Sequence, residues 1–272
     1  MSNGPLSSRY RTAFVTGAGT GLGLAFTEML LAEGVEVWGT SRDAARLTIQ
    51  PRFHAVTLEL ADGAAAERIF VEAEQAAGGF DVVINNAGFG AFGSFAHTDF
   101  AVWEEQFRVM LVNTARLSQV ALRGMLARKR GALVNISSIA GEFGMPYQAA
   151  YNSVKAGLSA LNESLMYEVK GTGVIVIDCR PGDYRTNFEG SVRRPPGATG
   201  PGQERAWKSF TAMMQSGPAP AHAAESLKRA LLRGRSGTVR TGRFFQAVLG
   251  PFLARFGSLS LKRTIQEKYF GL

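Results

Sequence analysis

Residues 16–23 read TGAGTGLG, and they follow directly on a short apolar run, Thr12–Val15. A segment of helical period, Leu22–Ala32, begins inside the same stretch. Glycines let the backbone turn tightly and approach a phosphate, and a helix N-terminus offers free N–H groups to the negative charge. The order of strand, glycine turn and helix therefore predicts a site for the pyrophosphate of a dinucleotide. A glycine turn by itself is also compatible with a purely structural role.

Apolar runs of strand length alternate with segments of helical period along the chain, which is typical of a parallel sheet covered by helices. The predicted strands are Thr12–Val15, Glu36–Gly39, His54–Leu58, Asp81–Asn85, Ala132–Ile136, Val174–Asp178 and Thr238–Thr241. The predicted helices are Leu22–Ala32, Gly63–Ala76, Val102–Ala127, Ala149–Val169 and His222–Leu232. We therefore expect an α/β protein with a Rossmann-like, doubly wound parallel sheet of about seven strands in a three-layer α/β/α sandwich. At 272 residues the chain is expected to form one domain, 1–272.

Two segments interrupt or extend this pattern. Residues 187–220 are rich in glycine and proline and are interpreted as a loop or lid on the substrate side. Residues 243–272 are interpreted as a C-terminal helical tail, with Gly250-Pro251 expected to break or restart the helix. Its apolar residues at helical spacing are Phe245, Val248, Leu249, Phe252 and Phe256, and its cations are Arg243, Arg255, Lys262, Arg263 and Lys268. The tail is interpreted in two ways. It packs on the domain, or its apolar and basic surface borders the substrate entrance or touches an anionic membrane.

The net charge of +8 is unevenly distributed. From Arg180 onward the chain has 16 Lys and Arg against 5 Asp and Glu. No basic run is interleaved with stacking aromatics, so the charge favours an anionic substrate group, a membrane surface or solubility over nucleic-acid binding.

The remaining composition indicates the compartment and excludes several kinds of site. The polar N-terminus has no secretory pattern, so we expect a cytoplasmic protein. The single cysteine, Cys179, lies in an apolar run and is interpreted as a buried structural thiol. The three histidines, His54, His97 and His222, lack ligand spacing, so no metal site is predicted.

Four polar residues carry the spacing of a catalytic site. Tyr151 and Lys155 stand one turn apart on one face of a predicted helix. Ser138 ends the fifth predicted strand thirteen residues before Tyr151, and Asn113 lies in the preceding long helix. A phenol has a pKa of about 10, so acid–base chemistry near neutrality requires a nearby positive charge, which Lys155 supplies. Ser138 would hydrogen-bond the same substrate oxygen as Tyr151.

In order and spacing, these four residues resemble the Asn, Ser, Tyr and Lys of the short-chain dehydrogenases/reductases (SDR). The glycine stretch is similar to that family's T-G-x-x-x-G-x-G, through Gly17, Gly21 and Gly23. The resemblance covers residues 12–186 and implies an oxidoreductase in which Tyr151 is the general acid or base toward a carbonyl or secondary alcohol. It also implies that Asn113 holds a water connecting Lys155 to solvent. By resemblance alone, the long helices pair subunits into a homodimer or homotetramer.

The end of the second strand predicts the cofactor. An acid at this point would bind the ribose hydroxyls and repel a 2′-phosphate, but the chain reads Gly39-Thr40-Ser41-Arg42. Ser41 stands where NAD-preferring relatives carry Asp, and Arg42 where NADP-preferring relatives carry Arg. A guanidinium can clamp a phosphate with paired N–H donors, so NADP(H) is the predicted cofactor. A solvated Arg42 partnered by Asp43 is the alternative.

Further segments complete the predicted cofactor site. Asn85-Asn86-Ala87-Gly88 is similar to the family's N-N-A-G, Glu59-Leu60 stands at the expected adenine edge, and residues 181–186 resemble P-G-x-x-x-T. Tyr184, where relatives carry Val or Ile, either intrudes on the substrate pocket or turns outward. The predicted cofactor-binding residues are Gly17, Gly19, Thr20, Gly21, Leu22, Gly23, Ser41, Arg42, Glu59, Leu60, Asn86, Ala87, Gly88, Tyr151, Lys155, Pro181, Gly182, Tyr184 and Thr186.

Three functions compete for this pattern. An active carbonyl reductase or alcohol dehydrogenase acting on a small molecule is favoured by the four catalytic residues. An NADP(H)-binding sensor without turnover is the second interpretation, and the Tyr and Lys that such proteins usually lose are both present. An epimerase or dehydratase is disfavoured by the glycine spacing. Phe89, Phe92 and Phe95, at three-residue spacing, line an apolar substrate pocket or belong to a packed loop.

Overall fold

The apolar runs form seven parallel strands of one sheet in the computed structural model, which describes residues 4–195, 200–270 and 272, without the side chains of 253–255 and 259. The strands are β1 (Thr12–Val15), β2 (Glu36–Ser41), β3 (Phe53–Thr57), β4 (Val82–Asn85), β5 (Gly131–Ile136), β6 (Val174–Pro181) and β7 (Gly237–Thr241). Their spatial order is β3-β2-β1-β4-β5-β6-β7. The strand order reverses between β1 and β4, and ligands of such sheets bind at the carboxyl ends beside that reversal. The predicted fold class is confirmed.

Helices cover both faces of the sheet and bury their apolar stripes against it. They are α1 (Gly21–Ala32), α2 (Gly63–Ala76), α3 (Phe100–Phe107), α4 (Asn113–Arg128), α5 (Ala149–Glu168), α6 (Phe188–Ser191), α7 (Pro201–Gln215), α8 (Pro220–Arg233), α9 (Gly250–Phe256) and α10 (Leu259–Phe270). Phe26 of α1 and Leu227 of α8 pack on one face. Phe70 of α2, Leu117 of α4 and Val154 of α5 pack on the other. Within the described ranges, no helix is both long enough and apolar enough to cross a bilayer.

The long helix predicted over Val102–Ala127 is interrupted. Residues Arg108–Val112 form a π-helical turn between α3 and α4. A π turn has one more residue per hydrogen-bonded ring than an α-helix, so it changes which side chains share a face. It lies where the helix passes the carboxyl end of the sheet, and this position matters for the site.

The segment 187–220, predicted as an irregular loop, contains two helices. Pro201 occupies the first position of α7, where its missing N–H costs nothing. Ala206, Phe210 and Met214 follow at four-residue spacing and are buried. Glycine and proline therefore mark the ends of this helix rather than a structureless loop. Residues 196–199 of the predicted loop lie outside the described ones.

The tail is helical, as expected, but it breaks at a different place. A π-helical segment, Phe245–Leu249, runs directly into α9, so Gly250 and Pro251 lie inside a continuous helical stretch. Proline lacks the N–H that would complete the α-helical ladder, and the π geometry stands immediately before it. The break falls at residues 257–258, after which α10 returns and buries Phe270 against α7.

Candidate active site

The glycine stretch between β1 and α1 forms a cradle that only glycine can build. Gly17 and Gly21 have φ of +68° and +56°, which side-chain-bearing residues rarely adopt. A Cβ on Gly23 would lie 2.0 Å from the carbonyl oxygen of Gly17, so the first turn of α1 packs directly on the loop. Thr20 provides no side-chain cap to α1. The free N–H groups of the helix therefore fit a pyrophosphate.

The segment Asn86-Ala87 at the end of β4 holds the cradle in place. The Asn86 side chain donates to the carbonyl oxygen of Thr16 at 3.0 Å and to that of Gly17 at 3.3 Å. The hydroxyl of Thr16 accepts from the backbone N–H groups of Asn86 at 2.8 Å and Ala87 at 2.9 Å. The conformation of the loop is thus fixed from the neighbouring strand.

Two arginines lie at the adenosine end of the crevice. Arg42, at the end of β2, is exposed and lines the cavity, and its neighbour Ser41 uses its hydroxyl to accept from the N–H of Asp43 at 3.3 Å. Arg46 also lines the cavity and pairs with Asp43 at 3.3 Å. The sequence interpretation did not include Arg46. Its position one turn after Asp43 could have indicated that it lies near Arg42.

Three of the four predicted catalytic residues converge. Lys155 donates from Nζ to the carbonyl oxygen of Ile136 at 2.7 Å, which fixes α5 against the end of β5. Its Nζ lies 5.6 Å from the centre of the Tyr151 ring. The Ser138 hydroxyl accepts from the N–H of Ala140 at 3.0 Å and donates to the carbonyl oxygen of Pro181 at 3.3 Å.

Burial moves the pKa values of Tyr151 and Lys155 in opposite directions. It raises the pKa of Tyr151 to about 12, an effect that a hydrogen bond with Ser138 opposes and the charge of Asp183 increases. Burial lowers the pKa of Lys155 to about 8, while the negative charge of Asp178 acts against this. Each shift favours the uncharged form of a buried group. Because the lowered pKa of Lys155 is still above 7, its side chain is a cation at neutral pH.

A buried polar network supports the strand ends that carry these groups. Asp178 accepts from the Ser137 hydroxyl, from the Asn162 amide at 3.1 Å and from Nε of Arg180 at 2.7 Å. Arg180 in turn donates to Glu142 at 2.7 Å, four residues after Ser138. Ser137 thus helps to hold Asp178.

Asn113 does not join the other three residues. Its side-chain amide donates to the carbonyl oxygen of Leu60 at 2.7 Å, and its oxygen lies against Gly63, so it ties α4 to the start of α2. Met110 in the π turn faces the cavity instead, and the N–H of Phe89 points at its sulfur at 3.4 Å. The side-chain amide of Asn113 is thus engaged between α4 and α2, and its water-holding role toward Lys155 stays a prediction.

The ring of Tyr184 is buried in the core. Its phenol lies 2.6 Å from the hydroxyl of Thr241 and 2.8 Å from Nδ1 of His222, inside the core cluster beneath the site. The side chain therefore fixes the loop after β6 to β7 and α8. The sequence left open a ring in the substrate pocket or one turned outward, and the structure instead buries the ring in the core.

One cavity of about 1040 Å³ joins nearly all of the predicted residues. Its lining contains Ser138, Tyr151 and Lys155 together with Gly17, Gly19, Thr20, Gly21, Leu22, Ser41, Arg42, Glu59, Leu60, Asn86, Ala87, Gly88, Pro181, Gly182, Tyr184 and Thr186. Gly23 and Asn113 are not part of the lining. Gly23 acts through its packing on Gly17.

The side of the cavity beyond Tyr151 is apolar, and most of this lining comes from residues 187–220 and from the tail. Its lining residues from four segments are Phe143, Met145, Phe188, Phe210, Met213, Met214, Leu261 and Ile265. Of the three phenylalanines considered, Phe89 lines the cavity, Phe92 is buried against Trp207, and Phe95 stacks on Trp103. The helical spacing of Phe210, Met213 and Met214 could have indicated that α7 is a helix with an apolar face.

Comparisons with known proteins agree with this geometry. An oxidoreductase of Myxococcus xanthus is 37% identical over 204 residues, which cover 68% of this chain and 77% of that protein. The 2-(S)-hydroxypropyl-CoM dehydrogenase 3 of Xanthobacter autotrophicus is 35% identical over 179 residues, 62% of this chain and 69% of the relative. A solved short-chain dehydrogenase from Streptomyces avermitilis superposes with a TM-score of 0.83 at 28% identity and covers 98% of each chain. The short chain dehydrogenase family model matches residues 11–196, and the chain therefore belongs to that family.

Proposed function

We propose that this oxidoreductase uses NADP(H) to interconvert a carbonyl and a secondary alcohol, with Tyr151 as the general acid or base. The observation that carries the proposal is the convergence of Tyr151, Ser138 and Lys155 on a cavity that continues to the glycine cradle. Family membership supports the oxidoreductase class.

The chain's own residues bind the reacting oxygen and move its proton. The nicotinamide, when bound, supplies or accepts the hydride at the reacting carbon. In reduction, Tyr151 gives its proton to the carbonyl oxygen while Ser138 hydrogen-bonds the same oxygen and stabilises its developing charge. In oxidation, Tyr151 takes the hydroxyl proton, which requires a lower pKa than burial alone gives it. The charge of Lys155 favours the phenolate.

NADP(H) is favoured over NAD(H) by the charges at the adenosine end. Arg42 and Arg46 both line the cavity there, and Ser41 stands in place of an acid. A 2′-phosphate would meet two guanidinium groups and no facing carboxylate except that of Asp43, which Arg46 neutralises. Glu59 accepts from the N–H of Ala61 at 3.2 Å and stays at the adenine side.

The substrate is proposed to be lipophilic. Phenylalanine, methionine, leucine and isoleucine side chains of α6, α7 and α10 surround the space beyond Tyr151. Apolar lining of this kind binds hydrocarbon by excluding water from it. Part of the tail thereby borders the substrate cavity and does not only pack on the domain.

The tail also presents an apolar face to the outside, for which we propose an anionic lipid surface as partner. The exposed residues of this face, Phe244, Phe245, Val248, Leu249, Phe252 and Phe256, follow the spacing of one helix side. Exposed Arg243, Arg263 and Lys268 stand on the same tail and complement anionic lipid. Phe245 and Leu261 are exposed and also line the cavity, so the apolar surface continues into it. The Arg255 side chain lies outside the described ones.

A homodimer or homotetramer is proposed through the long helices. Val112, Leu126 and Tyr167 are large apolar residues that are exposed near or along α4 and α5. These residues lie on the helices that the family resemblance assigns to subunit contacts. Analytical ultracentrifugation would give the oligomeric state directly.

Tyr151→Phe tests the central proposal. The change removes the transferable proton and keeps the ring, so kcat toward a panel of long-chain ketones should fall by at least about 1000-fold. NADPH affinity, measured by fluorescence titration, should stay within about 3-fold, because the phenol contributes little to holding the cofactor. Tyr167→Phe on the exposed side of the same helix is the matched control and should keep full turnover.

Two results would count against this function. Substantial turnover in the Tyr151→Phe protein would mean that the proton comes from another group. Tight NADPH binding by the wild type with no turnover across ketones and alcohols would favour the sensor interpretation.

A further inference from the structure

The cavity has one acid on its catalytic side. Among the described lining residues, four are acidic: Asp43, Glu59, Glu105 and Asp183. Asp43 pairs with Arg46, Glu105 pairs with Arg193, and Glu59 bonds a backbone N–H. Asp183 differs from Asp43 and Glu105 in having no ion pair among the described residues, and it directly follows Gly182 at the end of β6.

One carboxylate oxygen of Asp183 is held and the other is free. Gln246, buried in the π-helical segment of the tail, donates from Nε2 to Oδ2, and its Oε1 accepts from the N–H of Asp183 at 3.2 Å. In the part of the chain that the structure describes, no donor bonds to Oδ1. The amide of Gln246 thus fixes the carboxylate and leaves one acceptor facing the cavity.

A donor stands beside that acceptor. Nε2 of Gln246 also donates to the phenol oxygen of Tyr269 at 2.9 Å, and Tyr269 lines the same cavity. Since the phenol oxygen accepts this bond, its O–H proton is available, and no described residue takes it. Oδ1 of Asp183 and the O–H of Tyr269 together make an acceptor–donor pair.

The backbone of Asp183 lies close to the residue that Ser138 contacts. Ser138 donates to the carbonyl oxygen of Pro181, two residues before Asp183. Two residues of extended chain span at most about 7 Å, so the Asp183 backbone lies within that distance of the residue that Ser138 contacts. The charge of Asp183 also raises the pKa values of Tyr151 and Tyr269, as expected for groups that share one space.

We infer that Asp183 and Tyr269 bind a hydroxyl group that the substrate carries one or two carbons from the reacting carbon. A hydroxyl donates one hydrogen bond and accepts another, which matches the pair, whereas an ammonium only donates. Arg243, which donates to the carbonyl oxygen of Ser216, balances part of the charge of Asp183. The substrate class is therefore an apolar diol or hydroxyketone. This inference rests on the proposed function, and its test is read by binding.

The probes are 1,2-octanediol, 2-octanol and 1-amino-2-octanol, which share a chain and a secondary alcohol. Calorimetry on the NADP⁺-loaded Tyr151→Phe protein gives affinities without turnover. We expect the diol to bind at least about 10-fold more tightly than 2-octanol and the amino alcohol, which is typical of a hydrogen bond to a charged group. Asp183→Asn should reduce the diol preference to about 3-fold or less, because it keeps an oxygen for Gln246 and removes the charge.

Two further variants complete the experiment. Tyr269→Phe should also weaken the diol preference, which keeps the test decisive if Asp183→Asn does not fold. Glu225→Gln removes an exposed charge far from the cavity and should leave the preference intact. Equal affinities for diol and mono-alcohol, a preference that survives both site variants, or tighter binding of the amino alcohol would overturn the inference. Turnover of the same alcohols by the wild type tests the proposed function separately.

Discussion

Arg42 is the side chain that we expect to set cofactor choice most directly. It is exposed at the end of β2, and Arg46 stands beside it as a second cation. In Arg42→Ala, the ratio of kcat/KM for NADPH over NADH should fall by about 10- to 100-fold, the range of one charge-assisted contact. Steady-state kinetics with both cofactors measures it. Arg68→Ala, an exposed change on α2 away from the cavity, should keep the ratio. A wild type that prefers NADH would contradict the assignment.

Burial of the Lys155 ammonium is expected to lower the stability of the fold. Its pKa of about 8 is below the ordinary 10.5, so below pH 8 both folded and unfolded chains carry the charge and folding has the cost of burying it. Between pH 8 and 10.5 the folded protein loses this proton first, and stability rises with pH. Lys155→Met should therefore be more stable at pH 7, by up to about 3 kcal/mol, with a difference that shrinks at pH 9.5.

Urea unfolding of both proteins at pH 7 and pH 9.5 measures this difference. The neighbours whose titration depends on Lys155, Tyr151 and Cys179, have pKa values of about 12, above this pH range, so the change with pH reports Lys155. Lys170→Met, on an exposed residue, is the control and should show no such dependence. A variant that is less stable than the wild type at both pH values would mean that the bond to Ile136 outweighs the burial cost.

Most individual site residues could be predicted because their spacing is short and their chemistry specific. Tyr151, Lys155 and the glycines of residues 17–23 belong to such local patterns. Asn113 is the exception, since its position depends on the phase of a helix and not on local spacing. Met110 and Asn113 would lie near each other on an α-helix, but the π turn separates them. No residue type in Arg108–Val112 indicates that such a turn forms there.

Among the secondary-structure elements, the strands were predictable, whereas the helices that line the cavity, α7 and α10, were not predicted as cavity-lining helices. Each strand is an apolar run that the sheet buries, so its sequence carries the signal. The helix α7 was missed because glycine and proline around it outweighed the spacing of Phe210 and Met214. Similarly, α10 lines the cavity through Leu261 and Ile265, a placement that depends on tertiary packing.

The role of α10 in substrate selection can be tested with two small changes. Leu261→Ala with Ile265→Ala removes apolar surface from the substrate side of the cavity. The kcat/KM preference for long over short methyl ketones should fall by about 10-fold, given about 0.8 kcal/mol for each CH₂ no longer buried. NADPH affinity should not change, because α10 is remote from the cradle. Thr264→Ala, exposed on the same helix, is the matched control. An unchanged chain-length preference would remove α10 from the substrate site.

For the protein as a whole, the distribution of charge and apolar surface predicts where it contacts lipid. The excess of cations after Arg180 and the exposed face of residues 244–256 belong to the same part of the chain. Sedimentation with vesicles should show binding to mixed anionic and neutral lipid and little to neutral lipid alone. Phe252→Glu should weaken this binding by at least about 10-fold, because it places a charge in the apolar face.

Phe100→Glu is the matched control for the lipid experiment. Phe100 is exposed to a similar degree, 62% against 61% for Phe252, but starts α3 and lies outside the tail. It should leave vesicle binding unchanged. If Phe252→Glu instead lowers the oligomeric state while vesicles are ignored by the wild type, the face is an interface between copies of this chain.

The π turn at Arg108–Val112 has a consequence for any residue-by-residue alignment of this protein. Such a turn holds one residue more than the α-helical turn it replaces, while the helix axis continues. When an uninterrupted α-helix is aligned with this segment without a gap, structurally equivalent residues are matched either at Val109 and Met110 or at Asn113 and Thr114. They are not matched at both pairs. Where a relative lacks this turn, function transferred by column number across the helix is therefore displaced by one position on one side of the turn.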